Sequence, residues 1–413
     1  MDAQRQTIPV TRRHALRWLG AGLGSTALGA CGGGAVLVWG EAPASAASNP
    51  LLPITTPPVK IAVVTVAIGL SRPWALVFLP DGRMLVTERT GELRIVGMDG
   101  KASGPIAGVP AVDARGQGGL LDVALDPDFA TNRWVFLSYA EAGTGADAGR
   151  NGTAVARGSL SADGARLTDV QVIFRQTPKI DSTAHFGGRL VFAPDGRLFV
   201  TLGERYSQRD AAQDLSNTLG KVVRINADGS VPPDNPFVGR ADARPEIWSY
   251  GHRNVQGAAI HPVTRDLWTH EHGPQGGDEV NIDRAGRNYG WPRISYGCEY
   301  GAPVGNCPPV GGATSAPGME QPVTYWVPTS IAPCGMVFYT GGLFPQWRGN
   351  LFIGALAGQA LWRLQLDGDR VVAREPLLTD LGERIRDVRQ GPDGAIYLIS
   401  DGALAKIYRL QPA

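Results

Sequence analysis

GRLVFAPDGRLFVTLGE, residues 188–204, reads as an apolar strand, a reversal centred on Pro194, Asp195 and Gly196, and a second apolar strand. Proline presets one backbone angle of such a turn and glycine supplies the positive φ of another, so the chain reverses at little strain. The phrase recurs at 73–96 (PWALVFLPDGRMLVTERTGELRIV) and at 385–410 (IRDVRQGPDGAIYLISDGALAKIYRL). Altered forms, most with other proline-containing turns, start at Gly119, Gly257 and Gly342. Six such units, about 40 to 85 residues apart, predict an all-β, six-bladed β-propeller. The uneven spacing implies long inter-blade loops gathered on one face around the central channel, where a site is built. A β-sandwich or a pair of barrels is the competing arrangement; repetition at both ends of the body favours radial closure.

Composition agrees. The 55 glycines and 31 prolines follow no strict period, as expected of many tight turns, and 43% apolar residues supply a sizeable core. Residues 1–47 read as a Tat-type export signal, with Arg12 and Arg13 ahead of an apolar, glycine-containing run. LGAC at Leu28 to Cys31 resembles a lipoprotein cleavage box, which would lipidate Cys31, and APASAAS at Ala42 to Ser48 an ordinary peptidase site. Residues 48–57 read as a linker and 58–413 as a single propeller domain, located in the periplasm or exported. The signal holds four arginines, one Asp and one Glu, leaving 35 basic against 36 acidic residues. A nearly neutral body lacks the footprint of a nucleic-acid binder. Cys298 and Cys307 are expected to bridge in an oxidising compartment, and Cys334 to be a buried thiol.

The chemistry concentrates at two places. His185 opens a strand and Glu204 ends its partner, which predicts a hydrogen-bonded pair at one end of a blade; a carboxylate that orients an imidazole makes it a competent general base. The stretch 246–292, EIWSYGHRNVQGAAIHPVTRDLWTHEHGPQGGDEVNIDRAGRNYGWP, is too polar for an ordinary core. Arg253 and Asn254 offer a bidentate donor and an amide to an anionic or quinonoid ligand. The carbonyls of Gly273 and Pro274 and the carboxylates of Asp278 and Glu279 are hard oxygen donors suited to calcium, without EF-hand spacing. His270 and His272 form an H-x-H pair with no third zinc ligand in view, and His252 and His261 read as structural. Arg384 and Arg386 have period-two spacing, which predicts both guanidinium groups on one side of a strand around an anion, with Asp387 opposite.

GQGGLLDVALDPDF, HFGGRLVFAPDGRLFVTLGE, LGKVVRINADGSVPPDNPF, EIWSYGHRNVQG, HEHGPQGGDEVNI, NYGWP and RIRDV together resemble the soluble PQQ-dependent aldose sugar dehydrogenases, relatives of soluble quinoprotein glucose dehydrogenase. The resemblance implies a propeller that binds pyrroloquinoline quinone (PQQ) and Ca2+. It implies His185 as base supported by Glu204, Arg253 polarising the quinone, and Asn254, Arg384 and Arg386 holding the cofactor. It further implies Gln117 on the sugar side, Gly273 and Pro274 on the cofactor calcium, and Asp278, Glu279 and Tyr289 at a second calcium. The implied reaction oxidises an aldose at C1 and passes electrons to an external acceptor. Two departures stand out: Ala357 replaces a cofactor-contacting lysine, and Ala184 an acidic sugar contact. Rival functions are a calcium-dependent lactonase and a non-catalytic sugar- or partner-binding propeller.

Overall fold

The computed structural model describes residues 51–52, 54 and 59–413; the expected export signal and lipidation site lie outside the described residues. Six antiparallel sheets form the blades, five of four strands and one of three. Their inner strands are Pro73–Phe78, Leu120–Leu125, Gly187–Phe192, Val255–Ile260, Pro333–Phe338 and Ile385–Gln390, in blades 1 to 6. Each inner strand packs against the next and the sixth against the first, which closes the ring. Ile61–Leu70 pairs with Ala405–Pro412, so the last blade joins the two ends of the body. Radial repetition leaves each blade only a short outer edge.

The turn chemistry repeats atom for atom. In blades 1, 3 and 6 the residue before Pro-Asp-Gly (in blade 6, Gly391) donates its N–H to the carbonyl four residues on, at 2.7 to 2.8 Å. Asp81, Asp195 and Asp393 each accept the N–H two residues on, at 3.0 to 3.1 Å. Gly82, Gly196 and Gly394 take φ of 86°, 79° and 75°. In blade 4, His261 takes over this duty: its Nδ1 accepts the Thr264 N–H at 3.0 Å.

A second repeat decides where side chains point. In every blade the ladder between the inner strand and its neighbour slips near the inner strand's start. Such a bulge re-aims the residues beside it, and Trp74, Leu121, Gln256 and Arg386 at these slips all line one central cavity. One step deeper, Asp122, Arg189 and Asp387 meet in the channel. Arg189 Nη1 lies 3.3 Å from Asp122 and 3.0 Å from Asp387, and Arg389 pairs with the same two carboxylates at 3.0 and 2.9 Å. This ion cluster joins blades 2, 3 and 6, while Arg189 also stacks on Trp74 of blade 1 and donates to the Gln256 carbonyl of blade 4 at 3.0 Å.

Candidate active site

All the candidate catalytic and quinone-binding groups open on one end of the ring. Inner strands begin there and second strands end there, so the residues before each inner strand and after each second strand share a rim. Gln117, His185, Asn254 and Arg384 come from the first set. Arg89, Glu204, His272, Leu356 and Asp401 follow the second strands of blades 1, 3, 4, 5 and 6. The rim encloses a cavity of about 350 Å3.

His185 sits in the left-handed region, at φ 51°, a costly conformation for a residue with a Cβ and one that marks a site when neighbours enforce it. Three contacts enforce it. Gln117 Oε1 accepts the His185 N–H at 2.8 Å, Glu204 Oε2 lies 2.6 Å from Nδ1, and Tyr206 donates its N–H to the same Glu204 oxygen at 2.8 Å. Arg205 clamps the preceding loop through the carbonyls of Ala184 and Ser182, at 2.9 and 2.6 Å, and covers the Phe186 ring at 3.8 Å. With Nδ1–H held by a carboxylate, the Nε2 lone pair is the free one. Burial pulls the imidazole below its ordinary value of 6.5, against the opposing pull of Glu204. The ring is therefore neutral at physiological pH.

Arg253 and Asn254 ride on two peptide N–H groups that both donate to Glu271 Oε2, Asn254 at 3.2 Å. Glu271 is fixed in turn by His252 Nδ1 at 3.0 Å, and His252 stacks on Tyr289 with ring centres 4.7 Å apart. His252 is structural, as its sequence context predicts. Arg253 Nη1 donates to the carbonyls of His272 and Gly273, at 3.0 and 2.7 Å, and Nη2 to the Tyr300 hydroxyl at 3.1 Å. Tyr300 belongs to the loop closed by the Cys298–Cys307 disulfide. Asn254 Oδ1 accepts from Gly187 N–H at 3.2 Å and from Gln256 at 3.3 Å.

Arg384 and Arg386 converge as predicted, but the anion between them is internal. Asp401 accepts from Arg384 Nε at 3.0 Å and from Arg386 Nη2 at 3.1 Å. Strict alternation does not place them, because the ladder slips between Ile385 and Asp387; Asp387 turns into the deeper ion cluster. Buried Cys334 touches Arg386 Nη1 at 3.4 Å. With Arg89, three guanidinium groups face one carboxylate in the cavity wall, an excess of two cations in a partly enclosed space. That donor set fits a compact polyanion.

The second-calcium trio does not assemble as a set of side-chain ligands. Asp278 gives both oxygens to donors: Gly273 N–H at 2.9 Å, the Ser330 hydroxyl at 2.6 Å, and the N–H groups of Ile331 and Ala332 at 2.7 and 2.9 Å. Hydrogens crowd the positions a cation would need. The Tyr289 hydroxyl donates to the Ile282 carbonyl and accepts the Arg284 N–H. Glu279, half-buried and opposite Glu271 in the ladder, is pushed up to about 8 by desolvation and by that neighbour. His270 and His272 spend Nε2 on the carbonyls of Gly335 and Pro333, at 3.4 and 2.8 Å, and burial holds both near 3. No group of three or more His, Cys, Asp and Glu side chains suited to a metal exists among the described residues.

Arg89, Asp401 and Gln256 are polar cavity residues that sequence reading did not single out. Aligning the repeats would have found two of them, since Arg89 and Asp401 fall at the same place in their blades, directly after the second strand, where blade 3 has Gly203.

Comparison with known proteins gives one answer. The family model described as Glucose / Sorbosone dehydrogenase matches residues 70–409. The aldose sugar dehydrogenase YliI of Escherichia coli is 48% identical over 356 residues, 86% of this chain and 94% of the relative. The crystal structure of soluble aldose sugar dehydrogenase from Escherichia coli in the apo-form superposes with a TM-score of 0.81 at 47% identity, covering 86% of this chain and 100% of that one. The PQQ-bound form of aldose sugar dehydrogenase from Streptomyces coelicolor gives 0.68 at 29% identity, covering 86% and 99%.

Proposed function

We propose, for a chain that belongs to the glucose/sorbosone dehydrogenase family, that this oxidoreductase is a PQQ-dependent aldose sugar dehydrogenase. The observation that carries the reading is the shared mouth: a neutral, carboxylate-oriented imidazole opens on the end of the ring where a cavity holds two uncompensated guanidinium charges. PQQ bound there would supply the electrophile for hydride from sugar C1. His185 Nε2 accepts the C1 hydroxyl proton, Glu204 holds the resulting imidazolium in place, and the sugar leaves as the lactone. Arg384 and Arg386 would hold carboxylates of the cofactor, and Arg253, set by Glu271, would polarise the quinone. Asn254 lines the same wall, and Gln117 faces the sugar while fixing the His185 backbone. A calcium ion held by the main-chain carbonyls of Gly273 and Pro274 belongs to this proposal. The Gly273 oxygen keeps a lone pair beyond the one given to Arg253, and hard carbonyl oxygen suits calcium, which would polarise the cofactor.

The leader with Arg12 and Arg13 supports a periplasmic enzyme, lipid-anchored if Cys31 is processed, that passes electrons to a separate acceptor. A lactonase working through metal-bound water would need a side-chain cage that the described residues do not assemble.

Dye reduction by the apo-protein with added PQQ, calcium and a panel of aldoses tests the reading. Reduction is expected only with both additions and should cease on chelation with EDTA; folded protein inert toward every aldose rejects it. A pH profile tests the base. kcat/KM should fall as pH drops through the His185 pKa, which lies below 6.5 because burial outweighs Glu204. Glu204→Gln removes the contribution that raises this pKa, so the acid limb should move to still lower pH while the plateau drops. An unmoved limb contradicts the pairing.

A further inference from the structure

We propose that Arg89 is a third guanidinium anchor for the cofactor and the strut that links cofactor binding to the placement of His185. The proposal rests on the PQQ reading above and deepens it.

Arg89 differs from the other two cavity arginines in its partners. Arg384 and Arg386 share Asp401, and Arg384 also donates to the Leu356 carbonyl at 3.2 Å. Among the described residues Arg89 has no carboxylate within ion-pair distance; its Nε donates to the Gly118 carbonyl at 3.1 Å and its Nη2 to the Gly116 carbonyl. A half-buried guanidinium without a counterion is costly, and an incoming carboxylate removes that cost. Burial, with Arg386 nearby, pulls Arg89 below its ordinary value, and Asp401, beyond ion-pair distance, offsets this only in part.

Position supports the same assignment. Arg89 directly follows the second strand of blade 1, the rim position taken by His272 in blade 4 and Asp401 in blade 6. It faces the cavity from blade 1, beside the arginines of blade 6. At blade 5 the rim offers only Leu356, since Ala357 carries no charge and is exposed. PQQ has three carboxylates, and three arginines stand in this wall.

The link to catalysis is short, one covalent turn with hydrogen bonds at each end. Gly116 and Gly118 flank Gln117, whose Oε1 holds the His185 N–H at 2.8 Å and whose own N–H donates to the Thr183 carbonyl at 2.7 Å. A Cβ at Gly118 would come within 2.4 Å of the Asp113 carbonyl, so this turn has little room to shift. A guanidinium drawn toward a carboxylate therefore pulls on the turn that orients the base.

Absorbance titration of the apo-protein with PQQ, together with turnover at saturating PQQ and aldose, tests the proposal. Arg89→Met should weaken PQQ binding about ten- to a hundredfold, the range for loss of one charge-assisted contact. Arg89→Lys keeps the charge but not the two-carbonyl fork, so its affinity should stay within about threefold while kcat falls about tenfold or more, a split that general loosening would not produce. Both variants should melt near the wild type; if Arg89→Met does not fold, Arg89→Lys alone decides through that split. Affinity within about twofold of wild type in Arg89→Met, or unchanged kcat in Arg89→Lys, overturns the proposal. Wild-type protein that takes up no PQQ overturns the cofactor reading as well, so the two failures are distinguishable.

Discussion

His185→Ala is expected to lower kcat by about a hundredfold to ten-thousandfold, the usual contribution of a positioned general base, while PQQ still binds. The prediction follows from where the ring's bonds go. Nδ1 is committed to Glu204 at 2.6 Å and the backbone N–H to Gln117 at 2.8 Å, so Nε2 alone is left for chemistry. The alanine variant keeps the Gln117 contact and the φ of 51°, and so should keep the loop. It loses only the proton acceptor, and no other imidazole can replace it: His272, the other histidine at the mouth, is held near 3 by burial and gives its Nε2 to Pro333. Single-turnover measurement of aldose oxidation checks this, with PQQ uptake followed by absorbance. A loss of less than about tenfold would remove His185 from the role of base.

Arg189→Met should destabilise the ring by about 3 to 5 kcal/mol, the cost of breaking a buried ion cluster by removing one partner. Asp122, Arg189 and Asp387 are each exposed by 1% or less in their side chains. With Arg189 gone, one guanidinium, Arg389, must serve two carboxylates. Burial already pushes Asp122 up, which shows how little solvent reaches the cluster. The three residues occupy the third position of their inner strands, so the cluster bolts together blades that are far apart in sequence. Urea unfolding, read as a change in midpoint at constant slope, checks the figure. A change below about 1 kcal/mol would show that ring closure rests on apolar packing alone.

These two predictions draw on parts of the molecule that differed in legibility. The blades were readable because their signal is local: a Pro-Asp-Gly reversal between apolar runs states its own geometry. His185 and Glu204 were readable for the same reason, as ends of neighbouring strands. The closing strand Ile61–Leu70 was not, since its partner lies at the opposite end of the chain and no turn connects them. Nor were the bulges, because a slip of one residue leaves no mark on an apolar pattern; with them went the placement of Gln256 and the true route by which Arg386 reaches Asp401. The hydrogen-bond partners of Asp278 were hidden for another reason. An acidic residue in a glycine-rich loop looks like a metal ligand, yet its partners are backbone N–H groups around Ile331, which belong to another blade and carry no sequence signature.

Diffraction from crystals soaked with PQQ tests the central claim most directly. The account predicts one planar ligand per chain in the central cavity, its carboxylates on Arg384 and Arg386 and its quinone edge toward Arg253, with His185 Nε2 facing the space above the ring. PQQ density at the opposite end of the channel or outside the ring, with the central cavity left empty, would contradict it.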